Sequence, residues 1–259
     1  MAALFFDIDG TLLDFDHHLS GSTKRALLAA KANGHQIYIN SGRTRVYINH
    51  EEMLSVGFDG IVCGCGTQVE MNGETVFYHG IEQEVLERIL PAMEELNIPA
   101  ILEGRYYLFM DEDMICTDAY GERLFKTMAA HIQPIRNNEA NWEGSKLSAV
   151  IYDRDWPKLT EMFEKEFYFA VHQGKAMEII PHGCTKATGI AQVCELTGVA
   201  QADTFAFGDG VNDIEMLEYA AHGIVMGSGR DQAKEHADFV TKDIREDGIE
   251  YALKHFDLI

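Results

Sequence analysis

Ala2-Ala3-Leu4-Phe5-Phe6-Asp7-Ile8-Asp9-Gly10-Thr11 is an apolar run that stops at an acidic, glycine-bearing turn. Five apolar residues without alternation read as a strand buried on both faces, as in a sheet covered by helices above and below. The next stretches keep that rhythm. Ser22–Asn33 reads as a helix, with Ser22 or Thr23 as cap, Ala-Leu-Leu-Ala-Ala inside and Asn33-Gly34 as stop. Gln36–Ile39 reads as a second strand, Thr44–Ser55 as a second helix and Gly60–Cys63 as a third strand. Strand and helix alternating at this spacing imply right-handed crossovers and a parallel sheet.

The pattern then changes. Gln68–Met71 and Thr75–Tyr78 flank Asn72-Gly73, which suits a two-residue primed turn and predicts a hairpin. Residues 81–180 mix a long amphipathic helix (Glu82–Leu96) with helices near Asp118–Ala130 and Trp156–Glu166. Short strands lie among them at Ala100–Leu102, Tyr106–Met110, Lys146–Tyr152, Phe167–His172 and Met177–Ile180, so this part reads as an α+β insert. From Thr185 the first pattern returns, with a helix over Thr185–Thr197, a strand at Thr204–Phe207, a helix over Asn212–Ala221 and a strand at Gly223–Met226. A helix at Gln232–His236, a short strand at Phe239–Thr241 and a helix at Glu246–His255 follow. The expectation is an α/β fold: a doubly wound, Rossmann-like parallel sheet built from residues 1–80 and 181–259, interrupted by an α+β domain at 81–180.

Composition narrows the function. At 46% hydrophobic, 259 residues can bury a substantial core, and no run approaches the roughly 18 apolar residues of a membrane helix. The 42 acidic residues outnumber the 21 basic ones, a net charge of −21 that repels nucleic-acid backbones and anionic membranes. The N-terminus reaches Asp7 without a basic flank, unlike a secretory signal, so the expected location is the cytoplasm. Five scattered cysteines read as reduced thiols, and Cys63-Gly-Cys65 as small residues closing a buried strand. On so acidic a chain, an anionic ligand needs a local reversal of sign, which a divalent cation supplies.

Ligands of open parallel sheets bind beyond the carboxyl ends of the strands. The first strand ends in Asp7-Ile8-Asp9-Gly10-Thr11, the second in Asn40-Ser41-Gly42-Arg43, and Thr204–Phe207 in Gly208-Asp209-Gly210-Val211-Asn212-Asp213. Aspartates converging there without basic partners repel and raise one another's pKa. Mg2+, which takes a few carboxylates plus substrate phosphate, resolves the conflict.

In this order, Phe-Phe-Asp7-Ile-Asp9-Gly10-Thr11-Leu-Leu resembles the first signature of the haloacid dehalogenase-like (HAD) phosphohydrolases. Asn40-Ser41-Gly42-Arg43 is similar to their second, Lys186 after Gly183-Cys-Thr to their third, and Gly208-Asp209-Gly-Val-Asn212-Asp213 to their fourth. The insert resembles the type-two (C2) cap of the Cof-like subfamily, as does its exit, Met177-Glu178-Ile179-Ile180-Pro181-His-Gly183. The resemblance implies a Mg2+-dependent phosphatase of small phosphomonoesters working through an aspartyl-phosphate. Asp7 would be the nucleophile. Asp9 would protonate the leaving alcohol and then deprotonate water. The metal would sit on Asp7, the backbone carbonyl of Asp9, and Asp209. Ser41, the Gly42 amide, Lys186 and Asn212 would hold the phosphoryl oxygens, with Asp213 orienting Lys186 or the metal from behind.

Two departures stand out: Cys65-Gly66-Thr67 where the family often has Asn-Gly-Ala, and Asn40-Ser41 where Thr-Gly-Arg is common. Arg43 either reaches substrate or caps local carbonyls. Arg105, Tyr106, Tyr120, Lys146, His172 and Lys175 are candidates for touching the leaving group. With 10 basic against 19 acidic residues in 81–180, the cap disfavours nucleotides and suits sugar phosphates or a phosphorylated cofactor. The alternatives are a phosphomutase using the same aspartyl-phosphate and a catalytically weak, ligand-binding regulator. A monomer or a homodimer is expected.

Overall fold

Leu4, Phe5 and Phe6 are fully buried, on a strand with a neighbour on each side. In the computed structural model, which describes residues 1–117, 119–172 and 175–259, the chain first lays down β1 (Ala3–Phe6), β2 (Gln36–Asn40), β3 (Gly60–Cys63), β4 (Gln68–Met71) and β5 (Glu74–Tyr78). It continues with β6 (Ala100–Glu103), β7 (Leu108–Phe109), β8 (Ile132–Gln133), β9 (Lys146–Val150), β10 (Phe167–His172) and β11 (Ala176–Pro181). It ends with β12 (Thr204–Gly208), β13 (His222–Val225) and β14 (Phe239–Val240). The first sheet has the order β14-β13-β12-β1-β2-β3-β4-β5, parallel from β14 to β3, with β4 antiparallel to β3. From β1 the chain goes to β2 and β3 on one side and later to β12–β14 on the other. The strand ends of β1 and β12 therefore flank a topological switch point, where such sheets form their crevice.

Successive side chains of β1 face opposite ways. Ala3 and Phe5 join a buried cluster with Ile190 and Val193 of the helix Lys186–Thr197 and Met216 and Leu217 of the helix Ile214–Tyr219. Phe5 stacks on Tyr38 at 5.0 Å between ring centres, and Phe6 on Phe207 at 4.5 Å. In register, Phe6 stands beside Ile39 and Phe207, so the residues that follow all three strands emerge along one rim.

The chain divides into two units: residues 1–43, 49–77 and 185–259 form one, and residues 44–48 and 78–184 the other. The expected limits at 80/81 and 180/181 fall instead at 77/78 and 184/185, and Thr44–Ile48 belongs with the second unit. That segment also corrects the helix expected over Thr44–Ser55. It forms a 3-10 turn at Arg45–Tyr47 and a single helical turn at Glu51–Leu54. Three β-branched residues, Thr44, Val46 and Ile48, disfavour a helix there. Val46 is buried with Ile101, Leu108, Met110, Ile115 and Met128 of its own unit.

The second unit holds a six-stranded sheet, β10-β11-β9-β6-β7-β8, antiparallel except for the β7–β8 pair. The helix Gln83–Glu95 lays Leu86, Ile89, Leu90 and Met93 against Leu102, Leu147, Ala149, Met177 and Ile179 of that sheet. Asp118, with which the sequence begins the next helix, lies outside the described residues, and so does the Tyr120 side chain. No helix among the described residues is long and apolar enough to cross a membrane.

Candidate active site

Beyond the end of β1 the backbone curls tightly: the Gly10 N–H donates to the Leu13 carbonyl at 2.8 Å, and Leu12 and Leu13 donate to Ile8 at 3.0 and 2.8 Å. Gly10 takes φ +82°, a conformation that favours glycine. This curl leaves Asp7 buried on the rim and sends the half-exposed Asp9 carboxylate outward.

Lys186 reaches the same rim from the first turn of its helix. Thr185 caps that helix by accepting from the Thr188 N–H, while the Thr188 hydroxyl accepts in return from the Thr185 N–H. A lysine at a helix start reads as a solvated charge, yet Lys186 is buried. Its Nζ donates to Asp7 Oδ1 and to Asp213 Oδ1, both at 2.6 Å. Burial pulls the ammonium toward neutrality, but the carboxylates of Asp213 and Asp7 outweigh it and hold it charged.

After β12, the expected helix over Asn212–Ala221 opens as a 3-10 turn at Val211–Asp213 before the helix Ile214–Tyr219. Asp213 is the reason. Its Oδ2 accepts from the N–H groups of Asp209 and Gly210 at 2.9 and 2.8 Å, pulling the turn tight. Both Asp213 oxygens are thereby engaged. Asp209 lies near Asp7: one oxygen each from Asp7, Asp209 and Asp213 all fall within 4.8 Å of one another. A cation with oxygen ligands about 2.1 Å away spans oxygens from about 3.0 Å (adjacent ligands) to about 4.2 Å (opposite ligands) apart.

One ammonium faces three carboxylates, and the excess charge is visible. Burial pushes the Asp7 carboxyl up to about 7; Lys186 opposes the rise, while Asp213 and Asp209 add to it. Burial likewise lifts Asp209 to about 6, with help from Asp213. Two carboxylates left short of positive charge, beside a third, Asp213, with both oxygens already engaged, are what a hard divalent cation fits.

Ser41 and Arg43 lie beyond β2. The Ser41 N–H donates to Val62 at 2.9 Å, and its buried hydroxyl accepts from the Arg43 N–H at 3.2 Å. Gly42, between them, is partly buried. The Arg43 guanidinium grips both oxygens of Asp9 and, among the described residues, caps no carbonyl. Asn212 is exposed. Arg105 belongs to the other unit, where it pairs with Glu143 at 3.2 Å and lies over the Tyr78 ring at 4.4 Å. In that unit Lys146 is buried between Glu178 and Glu103, and His172 Nε2 meets Glu178 at 2.9 Å.

Two supports escaped the sequence reading. The Asn40 side-chain amide donates to the Lys186 carbonyl at 3.0 Å, tying β2 to the start of the lysine's helix. An asparagine closing the buried strand Gln36-Ile-Tyr-Ile-Asn40 was the signal. Gly66, at φ +80°, lets the loop after β3 approach that helix so closely that a Cβ would lie 2.2 Å from the Thr185 carbonyl oxygen.

The profile of the haloacid dehalogenase-like hydrolases matches residues 4–253. The chain belongs to that family. This HAD-like hydrolase is 29% identical to the Bacillus subtilis protein YkrA over 259 residues, 99% of this chain and 98% of the other. It is 26% identical to the HMP-PP phosphatase of Yersinia enterocolitica, over 97% of this chain and 93% of that one. Among solved structures it superimposes on the HAD subclass IIB sugar phosphatase BT4131 with a TM-score of 0.85 and 29% identity, each chain covered completely.

Proposed function

We propose that this hydrolase is a Mg2+-dependent phosphatase of small phosphomonoesters that forms an aspartyl-phosphate on Asp7. Its class, phosphoric monoester hydrolase, follows from the family and from full-length relatives named phosphatases. The observation that carries the mechanism is the rim cluster: Asp7 and Asp209 face each other beyond adjacent strands, with Lys186 bonded to Asp7 and Asp213 behind it.

Asp7 and Asp209 would hold Mg2+ together with the Asp9 carbonyl. The ion would supply charge neutralisation for the phosphoryl oxygens. Lys186, pinned between two carboxylates, stays cationic, keeps one Asp7 oxygen fixed and opposes protonation of the attacking carboxylate. An Asp7 oxygen attacks phosphorus as the ester P–O bond breaks, and the leaving oxygen takes a proton from Asp9. Asp9 then takes a proton from water, whose oxygen attacks phosphorus and breaks the bond to Asp7. Ser41, the Gly42 amide and Asn212 would bind the remaining phosphoryl oxygens. Arg105 is a candidate contact for the leaving group. Sugar phosphates or a phosphorylated cofactor suit the acidic cap, and the sugar phosphatase and the HMP-PP phosphatase among the relatives support that choice.

The test is phosphate release from p-nitrophenyl phosphate and a panel of phosphorylated metabolites. Activity should require Mg2+, stop in EDTA and vanish in Asp7→Asn with the fold intact. Turnover that persists in EDTA, or in Asp7→Asn, defeats the mechanism.

A further inference from the structure

Asp9 is half exposed, yet both of its carboxylate oxygens are held. Arg43 donates from Nε to Oδ2 at 2.8 Å and from Nη2 to Oδ1 at 2.6 Å. A fork-to-fork pair fixes the plane of a carboxyl group as well as its position. Arg43 is itself anchored. Its N–H donates to Ser41 Oγ at 3.2 Å, and its carbonyl accepts from the Gly64 N–H at 2.8 Å. The Ser41 carbonyl accepts from Cys65 at 3.1 Å, so the guanidinium hangs from a loop tied repeatedly to the segment after β3. An ion pair this open to solvent adds little to folding stability. Its effect falls on where Asp9 points.

We propose that Arg43 is a positioning residue for proton transfer by Asp9, and not a substrate-binding cation. The inference rests on the reading of Asp9 as acid and then base. When the ester bond breaks, its electron pair goes to the leaving oxygen, which takes the Asp9 proton. Arg43 gives up no proton; it restricts rotation about a carboxyl torsion that is otherwise broad. Proton transfer needs donor and acceptor within hydrogen-bond reach, and a misplacement of about 1 Å costs on the order of hundredfold in rate.

A series of substituted phenyl phosphates tests this, because members of one size and shape differ in how much their leaving oxygen needs a proton. The quantity to follow is kcat/KM with Mg2+ present, which covers events up to departure of the phenol and not the later hydrolysis. p-Nitrophenolate leaves unprotonated, whereas unsubstituted phenol depends on the acid. In Asp9→Asn, phenyl phosphate should lose on the order of hundredfold more than p-nitrophenyl phosphate. Arg43→Ala should show the same bias at about tenfold, and Arg43→Lys, which replaces the fork by one ammonium, a smaller one. Equal losses on both esters in the Arg43 variants, or no loss, overturn the inference while leaving the phosphatase reading intact. An unbiased loss in Asp9→Asn overturns the assignment of Asp9 itself. Melting curves accompany each variant, and Arg43→Lys retains the charge if Arg43→Ala folds poorly.

Discussion

Gly10 and Asp209 compete for one volume: a Cβ on Gly10 would lie 2.4 Å from Asp209 Oδ2. The residue that turns the chain after the first aspartates therefore also makes room for the carboxylate arriving from β12. Gly10→Ala combines a strained φ of +82° with that clash. We expect a loss of about 1–3 kcal/mol in stability. The Mg2+ concentration for half-maximal activity should rise at least about tenfold, the equivalent of about 1.4 kcal/mol in binding. A Mg2+ titration matching wild type would show that Asp209 is no metal ligand.

The crowded carboxylates make metal-free stability depend on pH in an uncommon direction. The folded pKa values of Asp7 and Asp209, about 7 and about 6, lie above the ordinary 3.8. Their contribution is whole below pH 3.8 and is lost as pH rises through about 6 to 7. Protons and Mg2+ compete for the same oxygens, so added Mg2+ should raise the melting temperature more at pH 8 than at pH 5.5. An equal rise at the two pH values contradicts this.

Lys186 is bonded through its ammonium to both Asp7 and Asp213. Lys186→Met keeps the length of the side chain and leaves Asp7 and Asp213 buried without a counter-ion. Metal-free protein at neutral pH should lose about 3–5 kcal/mol by urea unfolding. A loss under about 1 kcal/mol, the range of a solvent-exposed pair, would mean that the ion pairs contribute little.

In the second unit the sign is reversed. Burial pushes Glu178 up, but Lys146 and His172 outweigh it and hold its carboxyl at about 2, below the ordinary 4.5. That stability is present above pH 4.5 and is lost as pH falls through about 2. Glu178→Gln should therefore be less stable than wild type at pH 7, with the difference shrinking toward pH 2.5. Urea midpoints at the two pH values measure it, and a gap that does not narrow goes against it.

Much of this was legible in the chain. Ala2–Phe6, Gln36–Ile39 and Gly60–Cys63 announced a parallel sheet because buried strands need no alternation, and the carboxyl ends of Ala2–Phe6, Gln36–Ile39 and Thr204–Phe207 pointed to Asp7, Ser41 and Asp209. Periodicity failed at Thr44–Ser55, where partners distant in sequence, Ile101 and Met128 among them, decide the conformation of Val46. The burial of Lys186 and the partner of Arg43 were hidden for a related reason. Whether a charge is solvated or paired depends on which residues fold against it, and local composition carries no record of that.

The assignment of Thr44–Ile48 to the second unit has a practical side for anyone wishing to trim the molecule. Deleting 78–184 and splicing the ends would strip Val46 of its apolar neighbours and Thr44 Oγ1 of its bond to Glu103 at 2.9 Å. A sticky pentapeptide would then be bared to water immediately after Arg43. A minimal catalytic half has to be redesigned at that second place too, by exchanging Val46 and Tyr47 for polar residues or by shortening the loop.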